Sequence, residues 1–227
     1  MENEYFVIRY HPGHKTDAEK TLECATWVRG NTMEKYPHSL GVKVEIYLYD
    51  NREEIMEKEG HRCATSHVSV SDGVLKIAIL KPSWEGDWCG YEQLAHPFRR
   101  ALNHEYVHMP FHYHLQSKGR GYTDPCSWFC QGIAEYISGN YLPSYEKRVR
   151  KAVLQGSYTI DEDPYPWGLY IVEYMYGKYG KEKIVSLIKS DAPTFSDAIV
   201  RELGASPTEL KCGWRSYLAD KVGRNYF

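Results

Sequence analysis

The chain has 227 residues, 42% of them apolar and 26% charged, which supplies core enough for one ordinary domain or two lobes sharing a cleft. A net charge of −2 and a pI near 6.6 give no electrostatic footprint for nucleic acid or an anionic membrane surface. No stretch approaches the roughly 18 apolar residues of a membrane span, and the opening Met-Glu-Asn-Glu is neither basic nor apolar, so a cytoplasmic location is expected.

The first part of the chain alternates between strands and helices. Tyr5–Tyr10 is β-branched and aromatic and reads as a strand ended by His11-Pro12-Gly13. A helix follows from Asp17 to about Tyr36, with Leu22, Ala25 and Val28 on one side. Val42–Tyr49 alternates as a second strand, and Asn51–Lys58 is a short charged helix. Ala64–Val70 and Val74–Leu80 flank Ser71-Asp72-Gly73, the pattern of a hairpin with an Asp-Gly turn. After a Gly/Trp loop over Trp84–Gly90 the chain turns helical. Pro97 suits the first turn of a helix running to about Met109, and Pro110 is expected to end or bend it. Cys126–Gly139, Ser144–Leu154, Tyr165–Tyr179, Glu182–Ser190, Phe195–Leu203 and Pro207–Val222 complete the helices. The Lys147–Lys151 run reads as a solvated face. The fold class is therefore α+β: an α/β lobe over residues 1–96 with about four strands, then a helical lobe over 97–227.

Six scattered cysteines are read as reduced, with Cys126 and Cys130 forming only an isolated i, i+4 pair. The 20 tyrosines suggest an aromatic, polar-rimmed surface or cleft.

The chemistry concentrates in His104-Glu105-Tyr106-Val107-His108. On a helix, i and i+4 lie one above the other, so two imidazoles face one point and can chelate Zn²⁺. Glu105, about 100° round the axis, can take a proton from metal-bound water. Together these residues describe the core of a metal-dependent hydrolase.

With this helix placed where the two lobes join, the layout resembles the gluzincins, the metallopeptidase clan of thermolysin and aminopeptidase N. The segment Trp128-Phe129-Cys130-Gln131-Gly132-Ile133-Ala134-Glu135-Tyr136 is similar to that family's W-L-x-E-G-x-A-x-Y helix. The Tyr165–Gly180 and Phe195–Leu218 stretches, Trp214 included, resemble later helices of small zincin-like domains. The resemblance implies that His104 and His108 are zinc ligands and Glu105 the general base, and it makes Zn²⁺ the expected metal, with Fe²⁺ or another divalent ion admissible.

Gln131 stands where the family carries its third ligand, a glutamate. Four outcomes are open. Gln131 ligates through its amide oxygen; Glu135, one turn on and the family's acidic residue behind a ligand histidine, replaces it; a later histidine does; or the metal site is lost. Three neutral ligands do not preclude water activation, since carbonic anhydrase uses such a set. Among the later histidines, His114 has the metzincin spacing but lacks the required glycine, the place being held by Phe111, and Pro110 is expected to disrupt the turn between His108 and His112. A freely decaying site has no physical reason to keep an acid beside two imidazoles.

Amide hydrolysis also needs a donor for the developing oxyanion. Tyr165 is the candidate, with packing against Trp167 as the plain alternative, and Tyr122 is the second choice. An extended substrate would lie along a strand edge, Val74–Leu80 or Ala64–Val70. Trp84 and Trp88 read as an aromatic-anchored loop or rim. The expectation is a peptidase or amidase acting on a peptide or small amide. A peptidase-shaped binding protein and a metalloenzyme repurposed for a small molecule are its rivals.

Overall fold

The computed structural model describes residues 1–60, 65–71, 73–86, 96–118 and 127–223. Tyr122, Trp88, Cys63, Cys89, Cys126 and Asp72, which enter the expectations above, lie outside that set. Two compact units are formed, Met1–Tyr113 and His114–Phe227.

The first unit is built on strands β1 (Phe6–Arg9), β2 (Val44–Tyr49), β3 (Ser66–Ser71) and β4 (Val74–Leu80), with helices α1 (Lys15–Lys35) and α2 (Arg52–Glu59). Helix α3 (Pro97–Ser117) begins in this unit and ends beyond its boundary. Strand order is β1-β2-β4-β3; β1, β2 and β4 run parallel and β3 is antiparallel to β4. Ser71 pairs with Val74, so the expected hairpin closes around two residues. The alternation in β2 buries Val44, Ile46 and Leu48, which join Phe6, Ile8, Leu75, Ile77 and Ile79 in one core. Helix α1 adds Ala18, Ala25 and Val28 to that core, and α3 adds Ala101, Leu102, Tyr106 and Met109. Much of α3 thus packs as part of the sheet's own core. Thr32 Oγ1 donates to Asn103 Oδ1 at 3.3 Å, tying α1 to α3 inside the unit.

One expectation is corrected here. Pro110 neither ends α3 nor divides it: the helix continues to Ser117. A proline removes one N–H bond and crowds the carbonyl four residues back, at a cost of about 3 kcal/mol. Met109, Pro110, Phe111 and His112 are all buried, and packing on that scale outweighs the lost turn. Of the two strands expected to offer the edge, Val74–Leu80 is interior, between β2 and β3, and its hairpin partner β3 is an edge of the sheet, with β1 at the other side.

The second unit is helical: α4 (Ser127–Ser138), α5 (Pro143–Leu154), α6 (Pro164–Lys189), α7 (Phe195–Ala198) continuing as a π-wound segment Ile199–Leu203, and α8 (Pro207–Gly223). The architecture is therefore mixed, with a four-stranded sheet near the N-terminus and, among the described residues, a helical C-terminal part. Gly180 breaks α6 with φ 81° and ψ 162°, where two helices were expected, because only glycine adopts that backbone without strain. Glu173 holds α6 to α8, accepting from Lys221 Nζ at 2.6 Å and Tyr217 Oη at 2.9 Å. In the Lys147–Lys151 run Val149 is buried while Lys147, Arg148 and Lys151 reach solvent, as a solvated face requires. No described helix is long and apolar enough to cross a membrane.

Candidate metal and catalytic site

The local geometry follows from helical spacing. His104 and His108, one turn apart on α3, bring their Nε2 atoms within 3.2 Å, with ring centroids 4.9 Å apart and planes at 78°. Both are deeply buried, 4% and 2% exposed. With no metal, one Nε2–H donates to the other Nε2 lone pair. The same separation suits a shared ion: Zn–N bonds of ~2.0–2.1 Å at tetrahedral angles put two nitrogens roughly 3.3–3.4 Å apart. The Nε2 separation thus matches that of two nitrogens on one zinc ion.

Glu105 is half-buried, and its Oε1 accepts a 2.7 Å hydrogen bond from Ser66 Oγ at the start of the edge strand β3. Nothing in the sequence links residues 39 positions apart, so the motif alone gives no sign of Ser66. The bond fixes one carboxylate oxygen and with it the plane of the group.

His112 also stands on this face, its ring 5.7 Å from that of His108 at 47°. The expectation that Pro110 would separate them fails for the reason already given: the helix runs on. Burial, reinforced by the field of His67, pushes His112 down to about 4, so this imidazole is neutral at neutral pH.

The remaining predicted residues belong to the second unit. Gln131 lies on α4, half-buried as a residue, yet its Oε1 is sealed from water and no donor among the described residues reaches it. A buried amide oxygen normally finds a partner, and one without suits a cation or a ligand donor. Glu135, one turn later, is 0% exposed and accepts from Tyr145 Oη at 3.3 Å. Burial and the charge of Glu135 hold the Tyr145 phenol well above its usual range, so it stays a protonated donor. Tyr165 sits in the first turn of α6 and is 40% exposed. Trp167 packs against Tyr158 and Trp214, with centroids 5.6 and 6.2 Å away.

Among the described residues, no group of three or more His, Cys, Asp and Glu side chains is gathered so as to hold a metal. Gln131 is not one of those residue types. Cys24, Cys130 and Cys212 are free thiols, and burial pushes the Cys24 thiol up to about 12.

No family model matches the chain. A protein of Bacillus subtilis (strain 168), described as "Uncharacterized protein YhcO", is 29% identical over 117 residues, a stretch that covers 45% of this chain and 35% of that protein. The match spans about a third of the relative's length.

Proposed function

We propose that the chain is a metal-dependent hydrolase of the gluzincin type, a peptidase or amidase acting on a peptide or small amide. The observation that carries this reading is the convergence of two buried imidazole nitrogens to 3.2 Å beside an acid held by Ser66. His104 and His108 would hold Zn²⁺, and Gln131 is the third ligand we assign from the sequence pattern, supported by its buried, undonated amide oxygen. Bound zinc would lower the pKa of water towards ~7 and polarise a carbonyl; Fe²⁺ is a workable substitute.

Glu105 then takes the proton of the attacking water and returns it to the leaving amine. Ser66 donates to Oε1 and so orients the carboxylate for that transfer. The edge strand β3 offers backbone groups to an extended peptide, and Ser66 lies on that strand. Tyr165, with its exposed phenol, is the donor we assign to the oxyanion. Glu135 keeps the supporting role that the family pattern gives this position, with Tyr145 donating to one of its carboxylate oxygens. The free thiols accord with a reducing, cytoplasmic setting.

A peptidase-shaped binding protein is the second reading. It is favoured by the neutral amide in place of a carboxylate ligand and by the lack of a third ionisable ligand among the described residues. Metal analysis decides between them. Protein incubated with zinc and dialysed should retain close to one equivalent under the hydrolase reading, and none under the binding reading. Gln131→Glu adds a charged oxygen donor and should strengthen retention against a chelator by ~10–100-fold, the scale of a changed ligand environment. Should Glu135→Ala strip the metal while Gln131→Ala leaves it, the ligand assignment is overturned. Ser66→Ala should leave zinc retention unchanged and lower metal-dependent turnover by about tenfold, the loss of one charge-assisted hydrogen bond. Equal turnover in wild type and variant would remove Ser66 from the machinery.

A further inference from the structure

The first unit contains a polar cavity of about 330 Å³, lined by Tyr106 together with residues of α1, the N-terminal segment and the 38–42 loop. Tyr106 is two residues from each of His104 and His108, roughly 200° round the helix, so this cavity lies on a different face of α3. Its volume falls at the small end of the ~300–1,000 Å³ typical of ligand pockets, which suits a molecule of amino-acid size.

Donors and acceptors are sorted within it. The guanidinium carbon of Arg29 lies 3.6 Å from the centroid of the Tyr5 ring, which fixes the orientation of the fork. No carboxylate among the described residues forms an ion pair with Arg29. The acceptors are Glu4 and Tyr106. Glu4 is an exposed carboxylate at the rim of the cavity, and its nearness holds the Tyr5 phenol above its usual range.

Tyr106 is committed by a tautomer. His38 Nδ1 lies 2.8 Å from the Tyr36 carbonyl, which can only accept, so Nδ1 carries the proton. Nε2 of the neutral ring is then an acceptor, and it takes the Tyr106 hydroxyl proton at 3.1 Å. The phenol oxygen, 2% exposed as a residue and with its proton used, has only lone pairs to offer a ligand. Leu40 and Val42 supply an apolar wall.

We propose that this cavity binds a small zwitterion of the α-amino acid type bearing an aliphatic side chain: carboxylate on Arg29, ammonium on Glu4 and Tyr106 Oη, side chain against Leu40 and Val42. The assignment does not rest on the hydrolase reading, because none of these residues belongs to the candidate metal site.

The test titrates leucine into the full chain, followed by calorimetry and by backbone-amide NMR shifts. Isovalerate and isoamylamine serve as probes carrying one charge each. Saturable one-to-one binding of leucine is expected, with each single-charge probe at least ~tenfold weaker, the loss of a charge-assisted contact. Arg29→Ala should weaken leucine by at least ~tenfold without moving the thermal transition, and Arg29→Lys should recover part of it. If Arg29→Ala does not fold, Glu4→Gln should weaken leucine by ~tenfold and leave isovalerate unchanged. No saturation by leucine, isovalerate binding as tightly as leucine, or unaltered leucine affinity in the folded Arg29 and Glu4 variants would each overturn the proposal.

Discussion

Replacing His104 with alanine is expected to weaken zinc binding by roughly a thousandfold, about a third of the binding free energy of a typical structural zinc site. His108→Ala should match it, since the two Nε2 atoms lie 3.2 Å apart and play equivalent parts in the proposed site. Both side chains are buried, so the expected loss has to be separated from unfolding. Glu105→Gln provides that separation: it keeps the rings and the shape, and should hold zinc within a few-fold of wild type while metal-dependent turnover falls by ~10²–10⁴-fold, the usual worth of a general base. His112→Ala is the internal control. The 3.2 Å Nε2 contact joins His104 and His108, while the His112 ring is tilted 47° to that of His108 with centroids 5.7 Å apart, so zinc retention should be unchanged. Equilibrium dialysis with metal analysis reads all four variants. Stoichiometric zinc in both His104→Ala and His108→Ala would end the metallohydrolase reading, and zinc lost only in His112→Ala would move the site along the helix.

Much of the fold was legible because strand period, turn chemistry and helix stops agreed locally. The alternation of Val44–Tyr49, the pairing of Ser71 with Val74 and the break at Gly180 each depend on residues within one segment. Elements that failed to read correctly depend on distant partners. Pro110 stops a helix on its own propensity, yet lies in a buried stretch whose packing decides otherwise. That one misreading also hid His112, whose i+4 spacing from His108 was plain. Helix spacing sufficed for the convergence of His104 and His108, because both imidazoles hang from one rigid element. Ser66 could not be found the same way, since its meeting with Glu105 depends on where the hairpin edge docks against α3. Which of β3 and β4 forms the edge was likewise a matter of topology, set by the parallel pairing of β4 with β2.

Helix α4, which carries Gln131 and Glu135, approaches α6 closely at two glycines, and their replacement is expected to damage the second unit. A Cβ on Gly132 would lie 2.3 Å from the Gly168 carbonyl oxygen, and one on Gly168 would lie 2.1 Å from the Trp128 carbonyl oxygen. Both obstacles are backbone, so no rotamer change relieves them; α4 and α6 would have to move apart. Alanine improves helix propensity over glycine by ~1 kcal/mol, while overpacking of a tight contact costs typically ~1–3 kcal/mol and more when backbone must shift. The steric term wins, and Gly132→Ala and Gly168→Ala should each destabilise by about 3 kcal/mol in urea unfolding. Gly177 is the control within α6: nothing lies within 4 Å of the place its methyl group would take, so Gly177→Ala should gain up to ~1 kcal/mol from propensity alone. Opposite signs for Gly168→Ala and Gly177→Ala would show that the close approach of α4 and α6, rather than flexibility, explains the Gly132–Gly168 pair. Because Gln131 is the immediate neighbour of Gly132, the same separation of helices should also disturb the amide that the metal reading needs. A Gly132→Ala protein as stable as wild type would mean that the helices do not approach this closely in solution.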